Sequence, residues 1–114
     1  MLTAEEIYAL LSTTDEKNME FKTHFLDRLK TRARSGNGIP NDIIELKKIL
    51  LNTCPTHVAY QENNKFKDEN EYQVFYNVTG KYDLCVVLSL IFSNPIKIKF
   101  ITLYPQKVNR RLKK

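Results

Sequence analysis

The residues best suited to chemistry in this chain lie in the run His24-Phe-Leu-Asp-Arg28-Leu-Lys30-Thr-Arg32-Ala-Arg34, where one imidazole is followed by four basic side chains. On a helix, His24, Arg28 and Arg32 recur every four residues and fall along one stripe. An imidazole can move a proton near neutral pH, and guanidinium groups beside it can hold the charge that builds on phosphorus oxygens. That combination suits transfer at a phosphodiester. The same residues also suit plainer roles: a histidine on an amphipathic helix is often a surface residue, and Arg32 and Arg34 complement the negative end of a helix dipole.

The elements that must position these groups follow from the hydrophobic pattern. Thr3 with Glu6 forms a capping box, and Ile7, Leu10 and Leu11 make an apolar stripe, so a first helix covers about residues 4–12. Phe21, Phe25, Leu26 and Leu29 recur at helical spacing in a second helix that ends near Arg34, before Ser-Gly-Asn-Gly. Ile39-Pro40-Asn41 opens a third, with Asn41 as its cap, Asp42 and Glu45 in the first turn, and an end near Asn52. From His57 the period changes. Val58 to Tyr60, Glu71 to Val78, Tyr82 to Ser93 and Ile96 to Tyr104 are rich in β-branched and aromatic residues, and the short turns Thr79-Gly80-Lys81 and Ser93-Asn94-Pro95 make the strands they join antiparallel. The run Leu84 to Phe92 is apolar at nearly every position, the pattern of a central strand. The expected fold is α+β, with N-terminal helices packed on one side of a roughly four-stranded antiparallel sheet. Residues 61–70 read as a polar loop.

With 114 residues, 42% of them hydrophobic, one core and one domain are expected over residues 1–114, with 1–14 as an additional helix and 106–114 as a basic tail. The net charge of +5 is uneven, because from Lys97 to Lys114 there are seven basic residues and no acid. Such a stretch attracts nucleic acid, an anionic lipid surface or an acidic protein, or is simply a solvated end. The two cysteines lack a Cys-x-x-Cys spacing and the two histidines are 33 positions apart, so no metal motif is visible and no cofactor is expected. Cys85 reads as a small core residue. There is no signal-peptide pattern and no apolar run long enough to span a bilayer, so a soluble, cytoplasmic protein without membrane contact is expected.

Other positions could touch a ligand. Tyr104 could stack on a base or pack in the core; Lys97 and Lys99 share a strand face and could meet phosphates or protect a sheet edge. His57 has no acidic neighbour in sequence and reads as structural.

The pattern His24-x-x-x-Arg28-x-x-x-Arg32, followed by a helix and then by strands ending in Lys99-Phe-Ile-Thr102-Leu-Tyr104-Pro, resembles the RelE-like toxins of toxin–antitoxin modules and their relatives of the barnase–colicin–RelE ribonuclease class, over residues 20–105. The resemblance implies N-terminal helices on an antiparallel sheet and a metal-independent endoribonuclease acting on RNA, free or ribosome-bound, and neutralised by a cognate antitoxin. It would make His24 the acid or base, place Arg28 and Arg32 on the scissile phosphate, and set Thr102 and Tyr104 in the same groove. Lys30, Arg34, Lys97, Lys99, Lys107, Arg110 and Arg111 would bind flanking RNA. The additional helix and the 61–70 segment depart from the shortest members of the class. Two other readings therefore stay open: a non-catalytic nucleic-acid-binding module, and a toxin relative acting on a protein such as gyrase.

Overall fold

The computed structural model describes residues 1–33, 37–61 and 69–107. Helix α1, Ala4–Thr13, starts at the capping box read from the sequence: Thr3 accepts from the Glu6 amide while the Glu6 carboxylate accepts from the Thr3 amide. A single 3-10 turn, Glu16–Asn18, leads into a short strand β1, Met19–Phe21, and then helix α2, Thr23–Arg32. Helix α3 runs Ile43–Asn52, capped by Asp42 and not by Asn41, because the Asp42 carboxylate accepts from the Glu45 amide at 2.9 Å. The remaining strands are β2, His57–Gln61, β3, Glu69–Asn77, β4, Tyr82–Ile91, and β5, Lys97–Lys107.

The fold is α+β, but the sheet has five strands and is mixed. Its order is β1-β5-β4-β3-β2, with β1 parallel to β5 and the other pairs antiparallel. The expected four-stranded antiparallel sheet misses β1, whose Phe21 the helical spacing had assigned to the second helix. Phe21 instead pairs with Phe100, and its ring stacks on that of Phe100 at 4.4 Å. Helix α2 therefore starts two residues after Phe21, and its helical assignment stops at Arg32, short of Arg34, which lies outside the described residues.

Strand β4 is central, as its apolar run requires. Its even-numbered residues Leu84, Val86, Leu88 and Leu90 join Tyr72, Val74, Tyr76, Ile98, Phe100 and Leu103 under Ile7, Leu11, Phe25, Leu29, Leu46 and Leu50 of the three helices. One sheet face thus carries all three helices, α1 included. The other face holds a smaller cluster of Phe75, Cys85 and Val87, with Ala59, Ile101 and Tyr104 against it. A bulge between Val87 and Leu88 places Ile101 outside the pairing, so Thr102 opposes Val87 and Phe100 opposes Leu88. Strand β5 continues through Pro105 and Gln106 to Lys107, so the expected tail from 106 begins as strand; residues 108–114, with Arg110 and Arg111, lie outside the described residues. The expected loop is likewise shorter, since Gln61 belongs to β2 and Glu69 and Asn70 to β3, and residues 62–68 lie outside the described residues. Among the described residues the two cysteines form no disulfide; Cys85 is buried as expected and Cys54 is exposed. Among the described residues no helix is long and apolar enough to cross a membrane.

Candidate functional site on α2 and β5

Helix α2 is amphipathic, with Phe25 and Leu29 buried and the His24, Arg28 and Arg32 stripe bordering them. Its position is set by backbone chemistry at its start: the Lys22 amide donates to the Phe100 carbonyl at 3.1 Å, which ties the helix entrance to β5. Beyond Phe100, β1 has ended, and α2 lies along β5 in its place.

His24 is exposed, and Arg28 Nε donates to its Nε2 at 3.5 Å, the outer limit of a hydrogen bond. The stripe therefore begins with an imidazole beside a guanidinium at the protein surface.

At its other end the stripe turns inward. Arg32 Nη1 donates to the Leu103 carbonyl at 2.9 Å, satisfying a backbone acceptor on β5 beyond the three residues that β1 pairs with. The same guanidinium lies near Tyr104, whose hydroxyl is held well above its ordinary pKa, first by burial and then by its hydrogen bond with Cys85; the Arg32 charge opposes this. Eight residues of helix separate His24 from Arg32, about 12 Å along the axis. The stripe thus divides by height, His24 with Arg28 at one end and Arg32 with the Leu103 carbonyl at the other. Arg32→Ala is expected to lower stability by about 1–2 kcal/mol through the stranded Leu103 carbonyl, whereas Arg28→Ala changes it by less than about 0.5 kcal/mol; urea titrations of the two variants measure the contrast.

The other candidate residues are dispersed. Lys30 is exposed on α2, Thr102 is half-buried on β5, and Lys107 is exposed at the end of β5, paired in register with Tyr82. Lys97 is exposed beside an open groove of ≈ 340 Å³ between Lys17, Met19, Glu20, Ile91 and Lys99. Lys99 forms an ion pair with Glu69, whose side chain is only 9% exposed. His57 is exposed at the start of β2, its ring 5.6 Å from that of Phe75.

One arrangement escaped the sequence reading. Gln61, Glu71, Ser89, Lys99 and Glu20 occupy successive positions across all five strands, each paired in register with the next. Ser89 is fully buried, and among the described residues its hydroxyl has no hydrogen-bond partner. Burial, reinforced by the neighbouring Glu69, raises the Glu71 carboxyl above its ordinary pKa, while Lys22, followed at longer range by Lys99 and Lys97, lowers that of Glu20. The sequence signal for this row is a single serine inside the apolar run of β4, which acquires meaning only once the register is known. Among the described residues no group of three His, Cys, Asp or Glu side chains is placed to hold a metal ion.

The family model of the MJ0788 family matches residues 5–88, a span that contains His24, Arg28 and Arg32 and ends within β4, short of Thr102 and Tyr104. No curated protein and no solved structure matches the chain.

Proposed function

The chain belongs to the MJ0788 family, and for this member of it we propose a metal-independent endoribonuclease of the RelE-like toxin kind, acting on RNA in the cytoplasm at the exposed end of the α2 stripe. The observation that carries this reading is the exposed imidazole of His24 with the Arg28 guanidinium beside it. In the proposed reaction His24 takes the proton of a ribose 2′-hydroxyl as that oxygen bonds to the adjacent phosphorus. The bond from phosphorus to the 5′-oxygen breaks, and that oxygen takes up a proton from the imidazolium. Arg28 holds the charge gathering on the non-bridging oxygens. Lys30 lies on the same helix and suits the next phosphate along the strand. An acidic antitoxin segment laid on this basic face would close the site, and the net charge of +5 favours its approach.

A second reading, a nucleic-acid-binding module without cleavage, draws support from Arg32 and Tyr104. Both already have partners elsewhere in the fold, and of the four residues only His24 is exposed, with the half-buried Arg28 beside it.

Incubation of the purified chain with a labelled mixed RNA in excess chelator separates the two. Cleavage is expected, falling by about 10²–10⁴-fold in His24→Ala and falling also in Arg28→Ala, with unfolding midpoints unchanged. Intact RNA together with binding that weakens steeply as salt is raised would transfer the assignment to the non-catalytic module. Intact RNA with altered DNA supercoiling would point to a protein target such as gyrase.

A further inference from the structure

We propose that two copies of this chain pair through strand β2, joining their sheets into one continuous ten-stranded sheet with a two-fold axis at Ala59. This inference stands independently of the ribonuclease reading.

The two edges of the sheet are unlike. At one edge β1 is only three residues long and charged around it, by Lys17, Glu20 and Lys22, and α2 takes over where β1 ends. At the other, β2 pairs with β3 alone, and its backbone makes no hydrogen bonds outside that ladder among the described residues. Ladder alternation turns the N–H and C=O of every second residue of an edge strand outward, a template for another strand. Proteins commonly guard such edges with lysine, proline or a bulge within the strand. His57-Val-Ala-Tyr-Gln61 contains no proline, lysine, arginine or acid.

A second copy fits this edge by symmetry. An antiparallel strand pairing with itself about Ala59 sets Val58 opposite Tyr60 of the other copy, twice, and Ala59 opposite Ala59. Val58 packs against the main core, and Tyr60, 42% exposed, stands beside it on the same face with its ring edge-on to Tyr72. Self-pairing would therefore cover Tyr60 with an apolar neighbour and bring no like charges into opposition.

The charge distribution permits this partner although each copy carries a net charge of +5. Strands β1 and β2 lie at opposite edges, so pairing through β2 puts the two basic α2 stripes at the far ends of the joined sheet. Nine strand spacings of about 4.8 Å separate those ends by roughly 40 Å. The Debye length at physiological salt is about 8 Å, so the repulsion between the stripes is screened.

Sedimentation equilibrium of the full chain at tens of micromolar is expected to give twice the monomer mass of 13.4 kDa. Tyr60→Lys, at an exposed position, and Ala59→Lys, which sets two lysines face to face on the axis, are expected to give folded monomers. Should Ala59→Lys fail to fold, Tyr60→Lys carries the test alone. Ile44→Lys, on the exposed side of α3, is expected to stay dimeric. Amide exchange in residues 57–61 should slow as the wild type is concentrated and not in Tyr60→Lys. A wild type that remains monomeric overturns the proposal. So does a dimer that survives folded Tyr60→Lys and Ala59→Lys variants, or one that Ile44→Lys alone dissociates.

Discussion

Phe100→Ala is expected to lower the free energy of unfolding by about 3–5 kcal/mol, a large part of the stability of a domain this size. Phe100 is fully buried on β5, where three elements meet. Its ring stacks on Phe21 of β1 at 4.4 Å and 7°, and meets the edge of Phe25 of α2 at 5.7 Å. A cavity here is not confined to the core. Strand β1 has only three residues in register with β5, so loss of the Phe21 stack removes much of what holds it. Phe25 would then lose its packing partner at the start of α2, and the His24 end of the helix would loosen. Urea unfolding measures the first effect, and faster amide exchange in residues 19–26 than in β3 and β4 measures the second. Phe92→Ala, at a position 53% exposed, is the control and should change stability by less than about 0.5 kcal/mol. Equal losses in the two variants would refute this account of the β1, α2 and β5 junction.

Gly38→Ala is expected to destabilise by about 2–4 kcal/mol, although it adds one methyl group. Gly38 has φ of 80°, in the region that side chains disfavour, and a Cβ there would lie 2.3 Å from Val78 Cγ2. The position cannot relax freely. Asn37 donates from its side chain to the Arg32 carbonyl at 2.6 Å and accepts from the Ile39 amide at 3.0 Å, tying the end of α2 to the buried Ile39. Two causes, backbone conformation and collision, therefore add. They separate in the double variant Gly38→Ala with Val78→Ala, which should be less destabilised than the sum of the single changes because the collision is gone, while the conformational cost stays. Gly80 supplies the contrast: among the described residues, its chain neighbours aside, no atom lies within 4 Å of its Cβ position and its φ is not positive, so Gly80→Ala should leave stability unchanged or raise it by about 0.4–1 kcal/mol. A Gly38→Ala variant as stable as wild type would mean that residues 37–40 can rearrange.

The sequence by itself determined the features whose causes are local. Thr3 and Glu6 lie three residues apart and cap α1 by direct contact; the apolar positions of α3 repeat at helical spacing; the apolar run of β4 requires a central place in a sheet; short turns make β3, β4 and β5 antiparallel neighbours. Each signal sits within a few residues of the structure it specifies. The third cap was displaced by a single residue, from Asn41 to Asp42, because both side chains can accept the same bond and the chain path chooses between them.

Tertiary structure alone decided what depends on distant partners. Strand β1 is too short to show a period, and Phe21 fits a helical pattern as well as a strand; its pairing with Phe100 becomes visible only when β5 lies beside it. The stripe His24, Arg28 and Arg32 was legible as a pattern, but not its division into an exposed pair and an arginine bonded to the Leu103 carbonyl, 71 positions away. Lys99 reads as a phosphate contact until Glu69, on β3, is found paired with it. The physical reason is common to all three. Helix periodicity and capping act between near neighbours, whereas a side chain's charge or hydrogen-bond donor is assigned by whichever group folding brings within about 3–4 Å, and the linear order of residues does not contain that distance.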